Sequence, residues 1–149
     1  MPVDLSFVGK PFPYPMSYIV GVEKIRDFAV AIGDDNPIYH DRDAARQAGH
    51  ADLIAPPTFG VAIITRAQDE VLFDPALGLD YSRVVHGDQR FVLRRAIVAG
   101  DELFCTFFVD SVRVVQGNEF LGLRTEVTDP AGEQVVTVYG TLVVRGPDK

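Results

Sequence analysis

The sequence predicts an α+β fold, in which one antiparallel sheet wraps around a central helix, and three observations lead to this prediction. Residues 58–71 have the pattern of a helix whose first half is apolar on every side, which is typical of a helix surrounded by other elements. Four runs rich in β-branched and aromatic residues follow, at 83–98, 102–115, 120–129 and 134–145. A chain of 149 residues fits one domain, so residues 1–149 are expected to share one core.

The first third of the chain predicts an arm, a short strand and a helix. Residues 1–15 are rich in Pro and Gly, and we expect an extended arm on the surface. Residues 17–20 predict a short strand. Residues 22–32 carry apolar side chains at three- and four-residue spacings, which predicts an amphipathic helix that ends at Gly33.

The middle of the chain predicts a second short helix and the start of the central one. Either Asp41 or Asp43 could cap a helix through residues 44–48. Pro56 and Pro57 suit the first turn of the central helix, and Thr58 offers a capping hydroxyl.

The C-terminal half predicts an antiparallel meander. The turn sequences at 116–118 and 129–132 join the last three strands as hairpins. The strand at 102–115 has apolar residues on both faces. We therefore expect the helix to cover one face and a partner subunit or the N-terminal arm to cover the other. The first face carries Leu103, Cys105, Phe107 and Val109.

Composition and charge narrow the class of protein. A net charge of −7 argues against a nucleic-acid or anionic-membrane partner, since both favour a basic surface. No apolar run reaches the length of a membrane span, and no secretory signal is recognisable at the N-terminus. The lone Cys105 fits a reducing, cytoplasmic compartment, and the spacing of His and Cys predicts no metal site.

A candidate acid/base pair lies in residues 33–40, which read Gly-Asp-Asp-Asn-Pro-Ile-Tyr-His. A carboxylate and an imidazole within one rigid turn suit the transfer of a proton and a water next to a carbonyl group. The same residues are also typical of an ordinary helix end followed by a surface turn.

This octet resembles the signature G-D-x-N-P-(aliphatic)-H of the MaoC-like hot-dog hydratases and dehydratases. Three further stretches are similar to the same family: residues 53–59, 86–91 and 99–103. Within the family the chain resembles the single-domain actinobacterial "MaoC-like N-terminal" group, whose members include the HadA and HadC subunits. The resemblance covers roughly residues 17–144 and implies a hot-dog fold.

The chain departs from the signature at one place. Aligned on Asn36 and Pro37, Asp34 takes the position of the catalytic Asp, and Tyr39 takes that of the His. Counted back from His40 at the family's interval, the catalytic Asp would instead be Asp35. The sequence is compatible with both alignments.

The resemblance implies an enzyme that interconverts a (3R)-hydroxyacyl thioester and a trans-2-enoyl thioester, with Asp34 and His40 as the catalytic pair. Backbone N–H groups at the head of the central helix would polarise the thioester carbonyl. No cofactor is implied beyond the thioester carrier, coenzyme A or an acyl carrier protein. The residues expected to bind substrate are Asn36, Tyr39, Pro57, Thr58, Phe59, Gly60 and His86.

Two other functions are considered. The first is a non-catalytic, acyl-chain-binding subunit of a heterodimeric dehydratase, as HadA and HadC are in the family. The second is a thioesterase using Asp69 or Glu70, although these residues fit a solvated helix face better. Whether the chain is the enzyme or the non-catalytic subunit, we expect a homodimer or a heterodimer with a related hot-dog subunit. A basic patch that could receive a phosphate or an acidic carrier protein is predicted at Arg83, Arg90, Arg94 and Arg95.

Overall fold

The structure is a computed structural model that describes residues 2–147. Its strands are β1 (Phe12–Pro13), β2 (Tyr18–Ile19), β3 (Val84–Leu93), β4 (Glu102–Val115), β5 (Asn118–Thr128) and β6 (Gln134–Val144). Its α-helices are α1 (Val22–Ala31), α2 (Arg42–Gln47) and α3 (Gly60–Leu72).

The strands form one antiparallel sheet in the order β1-β4-β5-β6-β3, and β2 pairs with the start of β4. Strands β4, β5 and β6 make the meander that the two turn sequences predict. The first of these turns is tight because Gln116 and Gly117 both have positive φ angles, 50° and 81°. Strand β3 pairs only with β6, so one of its edges is free of strand partners among the described residues.

The central helix α3 packs against the inner face of this sheet, and the α+β prediction is confirmed. The inner face of β4 is buried as predicted, with Leu103, Phe107 and Val109 fully inaccessible. One core cluster joins α1 to the first half of α3, and a second joins the last turns of α3 to the N-terminal arm. The two clusters together hold the helix along its length.

The start of α3 differs from the prediction. The helix begins at Gly60 rather than at residue 58, and Val61 and Ala62 are only partly buried. No side-chain hydroxyl caps it. The backbone turn before it does so instead, with Val61 N–H donating to Thr58 O at 3.2 Å and Ala62 N–H to Phe59 O at 2.9 Å.

The N-terminal arm is more regular than predicted. It contains a short 3-10 helix at Leu5–Phe7, and Val3 is buried in the second core cluster. Pro13 lies in β1, which is possible because β1 is an edge strand and a proline there removes no needed hydrogen bond. The arm is therefore part of the sheet and of the core.

The outer face of β4 is only partly covered by side chains of the described chain. The guanidinium of Arg124 lies 3.9 Å from the centre of the Phe108 ring, and the same group pairs with Asp110 at 2.9 Å. Phe104 stays 36% exposed. Within residues 2–147, no helix is long and apolar enough to cross a membrane.

Candidate functional site

The candidate site begins where α1 ends. Gly33 adopts φ +72°, the left-handed conformation predicted for the residue after a helix, and the N–H of Asp34 donates back to Ala29 O at 2.9 Å. Asp34 Oδ1 then accepts the N–H of Asn36 at 3.0 Å. Asn36 caps a 3-10 helix over Pro37–Tyr39 by accepting the N–H of Ile38 at 3.2 Å. The exposed Asn36 side chain therefore stabilises the turn.

Tyr39 is the residue of this turn that faces the core. It is only 8% exposed and belongs to the same core cluster as Phe59 and Leu53. Burial raises the pKa of Tyr39 above its ordinary value near 10, and the negative charge of Asp34 raises that pKa further. The phenol therefore stays protonated at neutral pH and lies within the field of the Asp34 carboxylate.

His40 lies on the other side of the turn. Its Nε2 is 2.8 Å from the backbone oxygen of Asp34. Since a carbonyl oxygen can only accept, Nε2 carries the proton of this hydrogen bond. The backbone oxygen of His40 in turn accepts from Arg26 Nε at 3.0 Å. Backbone contacts therefore fix the orientation of the imidazole.

The groove that His40 lines is open, polar and about 510 Å³ in volume. Its other walls are Arg26, Asp41, Arg42, Asp43 and Arg46. The guanidiniums are already paired: Arg26 with Glu23 at 2.6 Å, Arg42 with Asp52 at 2.6 Å and Arg46 with Asp43 at 3.5 Å. Such a groove offers no apolar wall for an acyl chain.

The head of α3 is apolar and aromatic. Phe59 is fully buried, and its ring meets the rings of Phe28 at 5.4 Å and Tyr18 at 6.4 Å in edge-to-face contacts. A Cβ on Gly60 would lie 3.1 Å from Val138, so glycine lets the helix lie close to the sheet. Within residues 2–147, the N–H groups of Thr58 and Gly60 have no hydrogen-bond acceptor.

The remaining candidates divide between the α3 head and the sheet edge. Pro57 and Thr58 are exposed beside Phe59 and Gly60. His86 is exposed on β3, five residues from the Phe91 ring that contacts the position of Gly60, a separation of about 15 Å along a strand. The structure places Tyr39 in the same core cluster as Phe59, whereas His86 lies outside that cluster.

Three arginines of the predicted basic patch each contact a different part of the chain. Arg95 pairs with Asp101 at 2.8 Å, and Arg83 donates to Gly146 O at 2.9 Å. Arg90 stacks over the Tyr139 ring at 4.2 Å.

The two carboxylates of α3 differ in exposure. Glu70 is exposed as predicted, but Asp69 is half-buried, and this burial raises the pKa of Asp69. Among residues 2–147, no three His, Cys, Asp or Glu side chains are grouped to hold a metal ion.

Sequence reasoning missed two contributors to this region, Phe28 and Tyr18. The sequence pattern places Phe28 on the apolar stripe of α1 and Tyr18 in the short strand before it, and it identifies neither as a site residue. Their convergence on Phe59 depends on how α1 and β2 pack against α3, which no local pattern reveals.

Asp52 connects α2 to the segment that leads into α3, and this contact makes a pH-dependent contribution to the stability of the protein. Its ion pair with Arg42 lowers the pKa of Asp52 from 3.8 to about 2. Asp41, and not Asp43, caps α2 itself. Because the folded pKa of Asp52 lies below the unfolded one, its stabilisation is present above about pH 4 and is lost as the pH falls towards about 2.

We therefore expect Asp52→Asn to lower the free energy of unfolding by about 1 kcal/mol or less at neutral pH, since Arg42 is half exposed. The difference from wild type should shrink as the pH falls below about 4. Urea titrations of both proteins across this range measure it. A difference that stays constant down to the acid limit would contradict the assignment.

Comparison with known proteins adds to this geometry. The family model described as "FAS1-like, dehydratase domain region" matches residues 6–138. A UPF0336 protein of Streptomyces avermitilis is 51% identical over 149 residues, covering 100% of this chain and 99% of the relative. A UPF0336 protein of Saccharopolyspora erythraea is 51% identical over 146 residues, covering 98% and 94%.

Solved structures share the fold. The Mycobacterium tuberculosis HadBC (3R-hydroxyacyl-ACP dehydratase) complex matches with a TM-score of 0.85 and 31% identity, over 96% of this chain and 99% of the matched one. A MaoC-like dehydratase matches with a TM-score of 0.86 and 32% identity, over 96% of this chain but only 43% of its own. The (R)-hydratase of A. caviae, at 19% identity and a TM-score of 0.70 over 94% and 96% of the two chains, shares the fold.

The match to the family model, the identity to the UPF0336 proteins and the likeness to HadBC agree with the observed fold. The chain belongs to the FAS1-like dehydratase-region family of MaoC-like hot-dog proteins, within its UPF0336 group.

Proposed function

We propose that this chain is a subunit of a hydro-lyase that interconverts (3R)-hydroxyacyl and trans-2-enoyl thioesters, that it binds the acyl thioester, and that a partner hot-dog subunit supplies the catalytic imidazole. The observation that carries the proposal is the inward side chain of the turn. Tyr39 is buried in the core cluster that also contains Phe59 of the α3 head, whereas His40 lines a polar groove.

The chemistry explains why this difference matters. Adding water to an enoyl thioester requires a group that removes a proton from water and a group that delivers one to the α-carbon. A buried phenol whose pKa is raised can donate a hydrogen bond, but it is a poor base at neutral pH. Tyr39 beside Asp34 is therefore suited to holding a substrate oxygen.

The head of α3 is suited to holding the thioester carbonyl. The free N–H groups of Thr58 and Gly60 lie at the positive end of a 13-residue helix. Donors of this kind stabilise the negative charge that develops on a carbonyl oxygen. The partly buried rings of Phe28 and Tyr18, which pack on the buried ring of Phe59, offer an apolar wall for the acyl chain beside these donors.

The free edge of β3 is the candidate surface for the partner subunit. Along this strand, Val85 and Leu93 are 44% and 38% exposed, and no other described strand pairs with that edge. Unpaired edges favour the addition of another strand. The HadBC neighbour is a complex, and the MaoC-like dehydratase neighbour is more than twice as long as the matched part, which supports a second hot-dog unit beside this one.

A hydratase that is active alone is the second candidate, and one contact favours it. The 2.8 Å bond between His40 Nε2 and Asp34 O ties the imidazole to the turn that carries the candidate carboxylate. In that case Asp34 would orient the water, and His40 would exchange the α-proton through its Nδ1 atom. Both candidates use acyl-CoA or acyl-carrier-protein thioesters of fatty-acid metabolism and need no further cofactor.

Binding of acyl thioesters to the purified chain tests the proposal. We expect dodecanoyl-CoA to bind in a calorimetric titration, and we expect Phe28→Ala to weaken it about tenfold, because part of the apolar wall is lost. Phe104→Ala, on the outer sheet face, is the matched control and should leave the dissociation constant unchanged. Failure of the chain to bind any acyl thioester, or equal effects of the two variants, would contradict the proposal.

A further inference from the structure

A groove of about 580 Å³ lies beside the head of α3, on the side of β2 and of the first turn of α1. Its polar walls come from three elements: Ser17 and Tyr18 from the β2 region, Lys24 from α1, and Thr65 and Arg66 from the exposed face of α3. It is separate from the groove that His40 lines, since the two share no residue.

The charge of this groove is unusual for the chain. The protein carries a net charge of −7, and four other grooves each have at least two acidic walls. This groove is lined by Lys24 and Arg66, and no acidic residue lines it among those described. It is therefore a local region of positive potential on an acidic protein.

The two cations are also unneutralised. Neither Lys24 nor Arg66 forms a salt bridge with another described residue. Glu23, the neighbour of Lys24, holds Arg26 instead, and Glu102, which faces Ile19 across the β2–β4 pair, does not line the groove. Both cations are exposed, so their charges are available to a ligand.

The hydroxyl groups of the groove complement these charges. The hydroxyl of Thr65 donates to Val61 O at 2.6 Å, so it is committed to its own helix. Ser17 has no side-chain hydrogen bond to a described residue, which leaves its hydroxyl free to donate. Two cations and one free hydroxyl around one space form the usual donor set for a phosphate oxygen cluster.

We infer that this groove is a binding site for a phosphate group, held by Lys24 and Arg66 and completed by Ser17. The phosphate that the proposed function offers is that of the pantetheine arm, which coenzyme A and acyl carrier protein share. That identification rests on the proposed function, whereas the anion site rests on the groove alone. Tyr18 connects the two, because its ring contacts Phe59 at the head of α3.

The test is a titration of the ¹⁵N-labelled chain with 4′-phosphopantetheine, pantetheine and coenzyme A at low salt. We expect 4′-phosphopantetheine to shift the amide signals of residues 17–24 and 62–66, and we expect pantetheine to bind at least about tenfold more weakly. Lys24→Gln/Arg66→Gln should weaken binding of 4′-phosphopantetheine by at least about tenfold. The matched control Lys10→Gln/Arg113→Gln removes the same charge elsewhere and should leave binding unchanged.

Comparing the three ligands shows which phosphate group binds in the groove. Equal binding of 4′-phosphopantetheine and coenzyme A places the pantetheine phosphate in the groove. Binding of coenzyme A alone, lost in Lys24→Gln/Arg66→Gln, places a nucleotide phosphate there. Equal affinities of both double variants, or signal shifts confined to other residues, would overturn the inference. A chain that binds 4′-phosphopantetheine in the groove but no acyl thioester would contradict the proposed function and leave this site standing.

Discussion

Replacing Tyr39 by His is expected to give the purified chain hydratase activity, with crotonyl-CoA hydrated about two to four orders of magnitude faster than the background rate seen with the wild-type chain. Tyr39 belongs to the core cluster that includes Phe59 at the head of α3, so we expect an imidazole at this position to reach a substrate thioester bound there. It would supply the acid/base group that the phenol cannot. The loss of the conjugated enoyl absorbance measures the rate.

Two further variants make this result specific. Tyr39→Phe removes the phenol without adding an imidazole and should produce no gain in rate. Tyr39→His combined with His40→Gln should keep the gain, because the native imidazole lies in the other groove. A folded Tyr39→His protein that binds dodecanoyl-CoA but shows no gain would contradict the account of the turn.

Replacing Phe59 by Ala is expected to lower the free energy of unfolding by about 3–5 kcal/mol. Phe59 is fully buried and packs against Phe28 and Tyr18, so its loss leaves a cavity between α1, β2 and α3. Urea denaturation monitored by circular dichroism measures the change.

Phe73→Ala is the matched control for this cavity. Phe73 is 58% exposed and stacks on Tyr81 at 4.3 Å, so its removal should cost about 1 kcal/mol or less. Similar losses in the two variants would show that Phe59 does not hold the α3 head in place.

The fold could be predicted from the sequence because its signals are local and repeated. The alternation in β4 identified the buried face correctly, and Gly33 ended α1 as its position predicted. The arm was harder to predict, because the pairing of β1 with β4 joins residues far apart in sequence. The helix α3 begins later than predicted because a backbone turn, and not the Thr58 hydroxyl, accepts the N–H groups of Val61 and Ala62.

The candidate site could be located from the sequence but not oriented. The octet 33–40 predicted the turn, yet its spacing did not show whether Tyr39 or His40 faces inwards. Residues 37–39 form a 3-10 helix, in which successive side chains differ by about 120°, so a shift of one residue moves a side chain to another face. Only the packing of Tyr39 in the core resolves the choice.

The role of the chain is tested most directly by incubating the purified wild-type protein alone with crotonyl-CoA and a longer enoyl-CoA while the enoyl absorbance is followed. The account predicts no turnover of either substrate, although the same preparation binds dodecanoyl-CoA. Turnover that is lost in both His40→Gln and Asp34→Asn would contradict it and would establish a hydratase that is active alone through the Asp34 and His40 pair.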